Sequence, residues 1–260
     1  MNKIKKTAIN AVKKAGKLAL REYKNFNREE IKTKARHQIV TKVDLASEKI
    51  IINEVKKNFP THQILSEETG RISGTSNYLW IIDPIDGTTN FSMHNPLWAI
   101  SIAVAKIENK KTEIIFGIIY APFLDELYVA EKGKGAKLNN KKIQISKVKE
   151  KDIFLNAFCH GYKLSDVKKI ALYYYKQRLC GKKCFRFGAG SLELAFVAAG
   201  RIESAVIPGA NSWDVAAGIL LVKEAGGKAT DFIGKPWQID SKNIAASNGF
   251  VHKQVLKTIN

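Results

Sequence analysis

The chain has little that would cross-link it or carry it through a membrane. Only three cysteines, Cys159, Cys180 and Cys184, occur in 260 residues. A small, odd number argues against a disulfide framework and suits a reducing cytoplasm. Cys180 and Cys184 could fall one helical turn apart and hold a metal, but no second Cys/His pair has zinc spacing, so plain thiols are the better reading. No apolar run approaches the ~20 residues that a bilayer-spanning helix needs. The Lys-rich N-terminus lacks the unbroken apolar stretch of a signal peptide. Ile4, Ala8, Ala11, Val12, Ala15 and Ala19 instead repeat with a helical period and predict an amphipathic helix over 3–23. Its mostly alanine face is weak for a membrane surface. Acidic residues are also scarce, 24 against 43 basic, for a formal net charge of +19. Such an excess attracts anions, nucleic acid included. The lysines are spread along the whole chain, however, without interleaved arginine and aromatic residues, so solvated faces are the favoured reading over a nucleic-acid partner. Repeats and low-complexity tracts are absent.

What is present is apolar material for a core: 45% of residues are hydrophobic. That suffices for one large domain or two joined halves. We place the halves at 1–150 and 151–260. Helices are predicted over 44–58, 165–180, 191–200 and 214–225, the first stopped near Pro60 and the last by Gly226 and Gly227. Strands are predicted over 78–83, ending at Pro84, and over 98–107, 113–120, 126–131 and 244–247, with a Gly/Asn hairpin after Glu131. Strands come in groups instead of alternating with helices, which favours mixed α+β layers over a dinucleotide-binding fold.

The chemistry concentrates in Trp80-Ile-Ile-Asp-Pro-Ile-Asp-Gly-Thr-Thr-Asn-Phe91. A buried strand delivers Asp83, Pro84 removes a backbone donor, and Asp86 precedes Gly87-Thr88-Thr89, which opens a helix. Carboxylates at close range repel unless a cation lies between them, and backbone N–H groups at a helix start accept anions. The combination describes a place for a hard divalent cation, Mg²⁺, and a phosphate. An Asp-Pro turn and an Asp/Thr cap are the bland alternative. The Asp-x-Asp pair of a haloacid-dehalogenase phosphatase is excluded, because Pro84 and Ile85 separate the two acids. The five histidines form no constellation, and His94, nearest the segment, reads as a loop residue.

This segment resembles the first signature of the inositol monophosphatase family, without a gap. Asn211-Ser-Trp-Asp-Val-Ala-Ala-Gly218 resembles its second, and Glu224-Ala-Gly-Gly227 follows. Ser66-Glu-Glu-Thr69, Val40-Thr-Lys-Val-Asp44, Arg186-Phe-Gly and Val197-Ala-Ala-Gly200 resemble further family elements in the expected order. The resemblance implies a layered αβαβα sandwich, metal-assisted attack by water, lithium inhibition and a homodimer. It implies that Glu67, Asp83 and the Ile85 carbonyl hold one Mg²⁺. Asp83, Asp86 and Asp214 hold a second, and a third sits near Glu67. Asp44 and Thr88 orient the water with Glu67 beside them, and the Gly87 and Thr88 amides hold phosphate. Gly190, Ser191 and position 207 line the alcohol side together with Asp86 and Asp214. Asp44 and Asp214 could each also be simple helix caps, and Glu67 or Glu68 an ordinary exposed acid. One departure matters. Seven residues before Asp214, where many family members carry a glutamate for substrate hydroxyls, this chain has Ile207. The implied substrates are inositol phosphate or a related sugar or polyol phosphate. Histidinol phosphate, fructose bisphosphate and nucleotide 3′-phosphates are the enzymatic alternatives, and a regulatory RNA- or transcription-associated binder is the alternative of another class.

Overall fold

The computed structural model describes residues 1–35, 38–109, 111–159 and 161–260. His37 and His160, two of the five histidines, therefore lie outside the described residues. The first half runs α1 (Asn2–Asn25), β1 (Lys32–Ala35), β2 (Gln38–Val40), α2 (Lys42–Asn58), β3 (Gln63–Ser66), β4 (Gly70–Ile72), β5 (Tyr78–Asp86), α3 (Thr88–Ser92), β6 (Ala99–Glu108), β7 (Lys111–Ala121), β8 (Glu126–Glu131), β9 (Ala136–Leu138) and β10 (Lys141–Ile143). The second runs β11 (Leu155–Phe158), α4 (Leu164–Leu179), β12 (Lys183–Phe185), α5 (Gly190–Ala198), β13 (Ser204–Pro208), α6 (Ser212–Glu224), β14 (Lys228–Thr230), β15 (Asn243–Ser247) and α7 (His252–Ile259).

Eight strands, in the order β10-β9-β8-β7-β6-β5-β3-β4, form one sheet, and five, in the order β12-β11-β13-β15-β14, form another. Most neighbours are antiparallel, but β3 pairs parallel with β5, and β11 pairs parallel with both β12 and β13. Strands buried on both faces have continuous apolar runs, and β5 and β6 show this. One face of the larger sheet packs on α1 and α2 through Ala8, Val12, Ile51, Val55, Trp80 and Ile102. Its other face shares a core with α5, α6 and the smaller sheet, through Leu194, Val215, Leu221, Ile119 and Ala205. Helices α4 and α7 cover the far face of the smaller sheet through Tyr173, Val206, Val251 and Val255. The result is the five-layer αβαβα sandwich. The alanine stripe of α1 is fully buried against the protein itself, which accounts for its amphipathic pattern.

Three expectations change. The strand over 78–83 does not end at Pro84 but continues to Asp86, with a shift in register against β6. Helix α2 begins at Lys42 behind Thr41, so Asp44 is not its first residue. Cys180 ends α4 whereas Cys184 lies in β12, so the two thiols do not share a helical turn. All three cysteines are unbridged.

Candidate active site

Successive residues of a strand point to opposite faces, so acids three apart, as Asp83 and Asp86 are, would diverge on a regular strand. Here they do not. Asp83 stands opposite Ser101 and Asp86 opposite Ala99, so one extra residue is accommodated across Pro84-Ile85. Such a bulge re-aims side chains, and Pro84, lacking an N–H, sits where the ladder is interrupted. Ser47 of α2 donates to the Pro84 carbonyl at 2.9 Å and pins the bulge. Asp83 and Asp86 both face one cleft of about 120 Å³, which Glu67, Ile85, Gly87, Thr88 and Asp214 also line.

Each neighbour is delivered by a local device. Glu67 follows β3 directly, and its N–H donates to Ile82 O at 3.2 Å, extending the parallel pairing into the cleft. The Glu68 and Thr69 amides turn away to the buried Glu48 carboxylate, each at 3.1 Å, which separates the roles of the two adjacent glutamates. Gly87 adopts φ 88°, a left-handed conformation that favours glycine, and a Cβ there would stand 3.1 Å from Leu97 O. Thr88 begins α3, whose five residues are too few for a substantial dipole, so any anion affinity there rests on the amides themselves. The Thr88 hydroxyl lies 3.0 Å from Asp44 Oδ1 and 3.1 Å from the Ile85 carbonyl, either of which can accept its proton. Asp44 closes a capping box: its Oδ2 accepts from the Thr41 N–H at 2.8 Å. Capping and contact with Thr88 are therefore both duties of Asp44, one for each oxygen. Asp214 is likewise the third residue of its helix, not the cap, and its Oδ2 accepts from the Asn211 N–H at 2.7 Å.

Ser191 departs from its expected place beside the substrate alcohol. It is fully buried and outside the cleft wall, with its N–H donating to Asp86 Oδ2 at 2.7 Å and its hydroxyl donating to the same oxygen. It positions Asp86. The Gly190 N–H donates to Asp86 Oδ1 at 3.2 Å while Gly190 itself lines the cleft. Ile207 does line the cleft, and a Cβ on Gly190 would come within 3.2 Å of its Cδ1, so Gly190 leaves room for it. Cys159, Gly161, Tyr162, Gly209, Ala210 and Asn211 complete that wall. Of these, Tyr162 carried no sequence signal.

The charges explain what the cleft wants. Burial, reinforced by Glu67, Asp86, Asp214 and Asp44, pushes the Asp83 carboxyl well above the usual range. Burial likewise pushes Asp44 and Asp86 up to about 6 and Asp214 up to about 7, against the hydrogen bonds each accepts. Among the described residues, no three carboxylate, imidazole or thiol groups are already gathered as a metal cage. Asp44, Asp86 and Asp214 each rest on their own N–H or O–H donors around the shared cleft. The donor chemistry nevertheless fits a hard cation: carboxylate and carbonyl oxygens dominate the acidic side, and a divalent ion would favour the charged forms that burial, and at Asp83 the neighbouring acids, disfavour.

An acidic cleft of this kind, at the edge where two mixed sheets sandwich a pair of helices, is the mark of a metal-assisted phosphatase. The whole chain, residues 1–260, matches the inositol monophosphatase family model. It is 38% identical over 256 residues to Nus factor SuhB of Escherichia coli K12, covering 96% of this chain and 92% of that protein. It is 36% identical over 253 residues to the fructose-1,6-bisphosphatase/inositol-1-monophosphatase of Thermotoga maritima, covering 97% and 94%. The crystal structure of extragenic suppressor protein suhB from Bartonella henselae superposes with a TM-score of 0.90 at 32% identity, covering 99% and 98%. The chain belongs to the inositol monophosphatase family, within a superfamily of Mg²⁺-dependent phosphatases. No helix among the described residues is long and apolar enough to cross a membrane.

Proposed function

We propose that this protein hydrolyses small phosphate monoesters of the sugar or polyol type, with inositol 1-phosphate the first substrate to try. The observation that carries the reading is the convergence of Glu67, Asp83, Asp86 and Asp214 with the Thr88 hydroxyl on one cleft. Glu67, Asp83, the Ile85 carbonyl, Asp86 and Asp214 would hold two to three Mg²⁺ ions. When bound, these supply Lewis-acid polarisation of the phosphoryl oxygens and a lowered pKa for water. The protein's own groups do the rest. Thr88 Oγ1 can pass its proton to Asp44 Oδ1 and accept one from the attacking water. Asp44, raised to about 6 by burial, is a base whose strength suits neutral pH. The Gly87 and Thr88 amides would orient the phosphate. Asp86, Gly190, Ile207 and Asp214 would border the substrate.

Ile207 cannot accept a hydroxyl's hydrogen bond, and one relative's name joins fructose 1,6-bisphosphate to inositol phosphate. A panel of inositol, fructose, histidinol, glycerol and nucleotide 3′-phosphates, assayed for phosphate release with Mg²⁺, tests the reading. Release from a polyol or sugar ester supports it, and failure on every ester contradicts it. We carry over the homodimer from the family, and a monomeric mass by light scattering would contradict that. A second reading, transcription-associated RNA binding, draws on the relative named Nus factor SuhB and on the +19 charge. A salt-dependent RNA shift that survives in Asp83→Asn would support it.

A further inference from the structure

The cleft has two chemically different sides. One is the carboxylate cluster, which suits metal and phosphate. The other is small and apolar: Cys159, Gly161, Ile207, Gly209 and Ala210, with Tyr162 and Asn211 as the polar side chains. Asn211 is engaged as the cap of α6 and bonds to Asp214. Tyr162 remains to read an alcohol.

Its placement is built, not incidental. Past the end of β11, Cys159 N–H donates to Val206 O at 3.2 Å and Gly161 N–H to Pro208 O at 2.7 Å. The backbones of Gly161 and Gly209 then touch. A Cβ on Gly161 would stand 2.8 Å from Gly209 O and 2.8 Å from Asp166 Oδ2, and a Cβ on Gly209 would collide with the same carboxylate. Two glycines and Asp166 thus clamp the Tyr162 segment to the segment that follows Ile207. Tyr162 as a whole is 53% exposed, open to an incoming molecule at the rim. Partial desolvation of the residue, reinforced by Glu67, Cys159, Asp214 and Asp86, pushes the phenol up to about 12, so it stays a protonated donor at neutral pH.

We propose that Tyr162 recognises the alcohol half of the substrate, its phenol hydrogen-bonding one hydroxyl of a polyol leaving group across from the aliphatic wall of Ile207. The proposal rests on the phosphatase reading above and narrows it to esters whose alcohol carries a further free hydroxyl. Glycerol 1-phosphate and propyl phosphate share a carbon chain and differ only in hydroxyls, so they isolate the contact. With Mg²⁺ present, the unmodified protein should favour glycerol 1-phosphate in kcat/KM by about 5- to 10-fold, the worth of one net hydrogen bond. Tyr162→Phe keeps the ring and removes the hydroxyl. It should erase that preference through KM, with turnover of propyl phosphate unchanged. A preference that persists in Tyr162→Phe overturns the proposal, as does an equal fall on both esters, which would mark a packing role. In both cases the phosphatase reading survives. Hydrolysis of neither ester by the unmodified protein would overturn the proposal, and the phosphatase reading falls with it only if every ester of the panel above also fails.

Discussion

Replacing Asp214 by asparagine should make the metal-free protein more stable while removing its function. The Asp214 carboxyl rises from 3.8 to about 7, chiefly through burial and then through Asp86. An acid whose folded-state pKa is raised carries no penalty below its unfolded value. Folding then loses stability as pH climbs through the window between 3.8 and about 7. Above that window the loss is about 4 kcal/mol, at 1.36 kcal/mol per unit. The value of about 7 already includes the hydrogen bonds from Asn211, and the amide keeps an oxygen to accept from the Asn211 N–H, so most of the gain is retained. That gain of about 4 kcal/mol corresponds to at least about 8 °C in melting temperature for a chain of this size. The assay is thermal unfolding in chelator at pH 5 and pH 8. Asp214→Asn should melt above the unmodified protein at pH 8, and the gap should narrow to about 1–2 kcal/mol at pH 5. Adding Mg²⁺ at pH 8 should raise the unmodified protein and move the variant far less, because ligand binding stabilises only the state that binds. A variant that melts lower in chelator at pH 8, or a gap independent of pH, would refute the reasoning.

Thr88→Ala should keep Mg²⁺ binding by calorimetry yet lose about 10²–10⁴-fold in kcat, the range for general acid–base assistance; loss of all metal binding would show that Thr88 acts on the ions instead. Ile207→Glu should sharpen the kcat/KM ratio of inositol phosphate to glycerol phosphate by about 5- to 10-fold, one hydrogen bond's worth. A large ratio already present in the unmodified protein would show that another residue reads the additional hydroxyls.

Much of the site is legible locally because its signatures are contiguous. Asp83, Asp86, Gly87 and Thr88 lie within six residues, and Asp214 sits in a second short segment. What brings Asp83 and Asp86 to one face is less legible. Read alone, Pro84 ends a strand, whereas in the sheet it occupies a bulge held by Ser47, 37 residues away. Ser191 shows the same limit: its donors go to Asp86 across 105 residues, so a position expected to meet substrate positions a carboxylate instead. Tyr162 had no local signal, since the Gly161–Gly209 contact that sets it joins segments far apart in the chain. The long strands and helices follow from periodicity, but β11 to β14 span three to five residues each, too short for a period to emerge. Asp44 taken alone reads as a cap, whereas the structure makes Thr41 the cap of α2 and Asp44 its capping-box partner three residues on.

The most direct test of the central claim is phosphate release from inositol 1-phosphate and glycerol phosphate, measured with Mg²⁺, with excess chelator, and in Asp83→Asn. Asp83 is buried among all the other acids of the cleft, so its loss should weaken every ion position together. The account predicts turnover with Mg²⁺, none in chelator, and none in Asp83→Asn at any Mg²⁺ concentration that saturates the unmodified protein. Turnover that persists in excess chelator, or an Asp83→Asn protein that remains fully active, would contradict it.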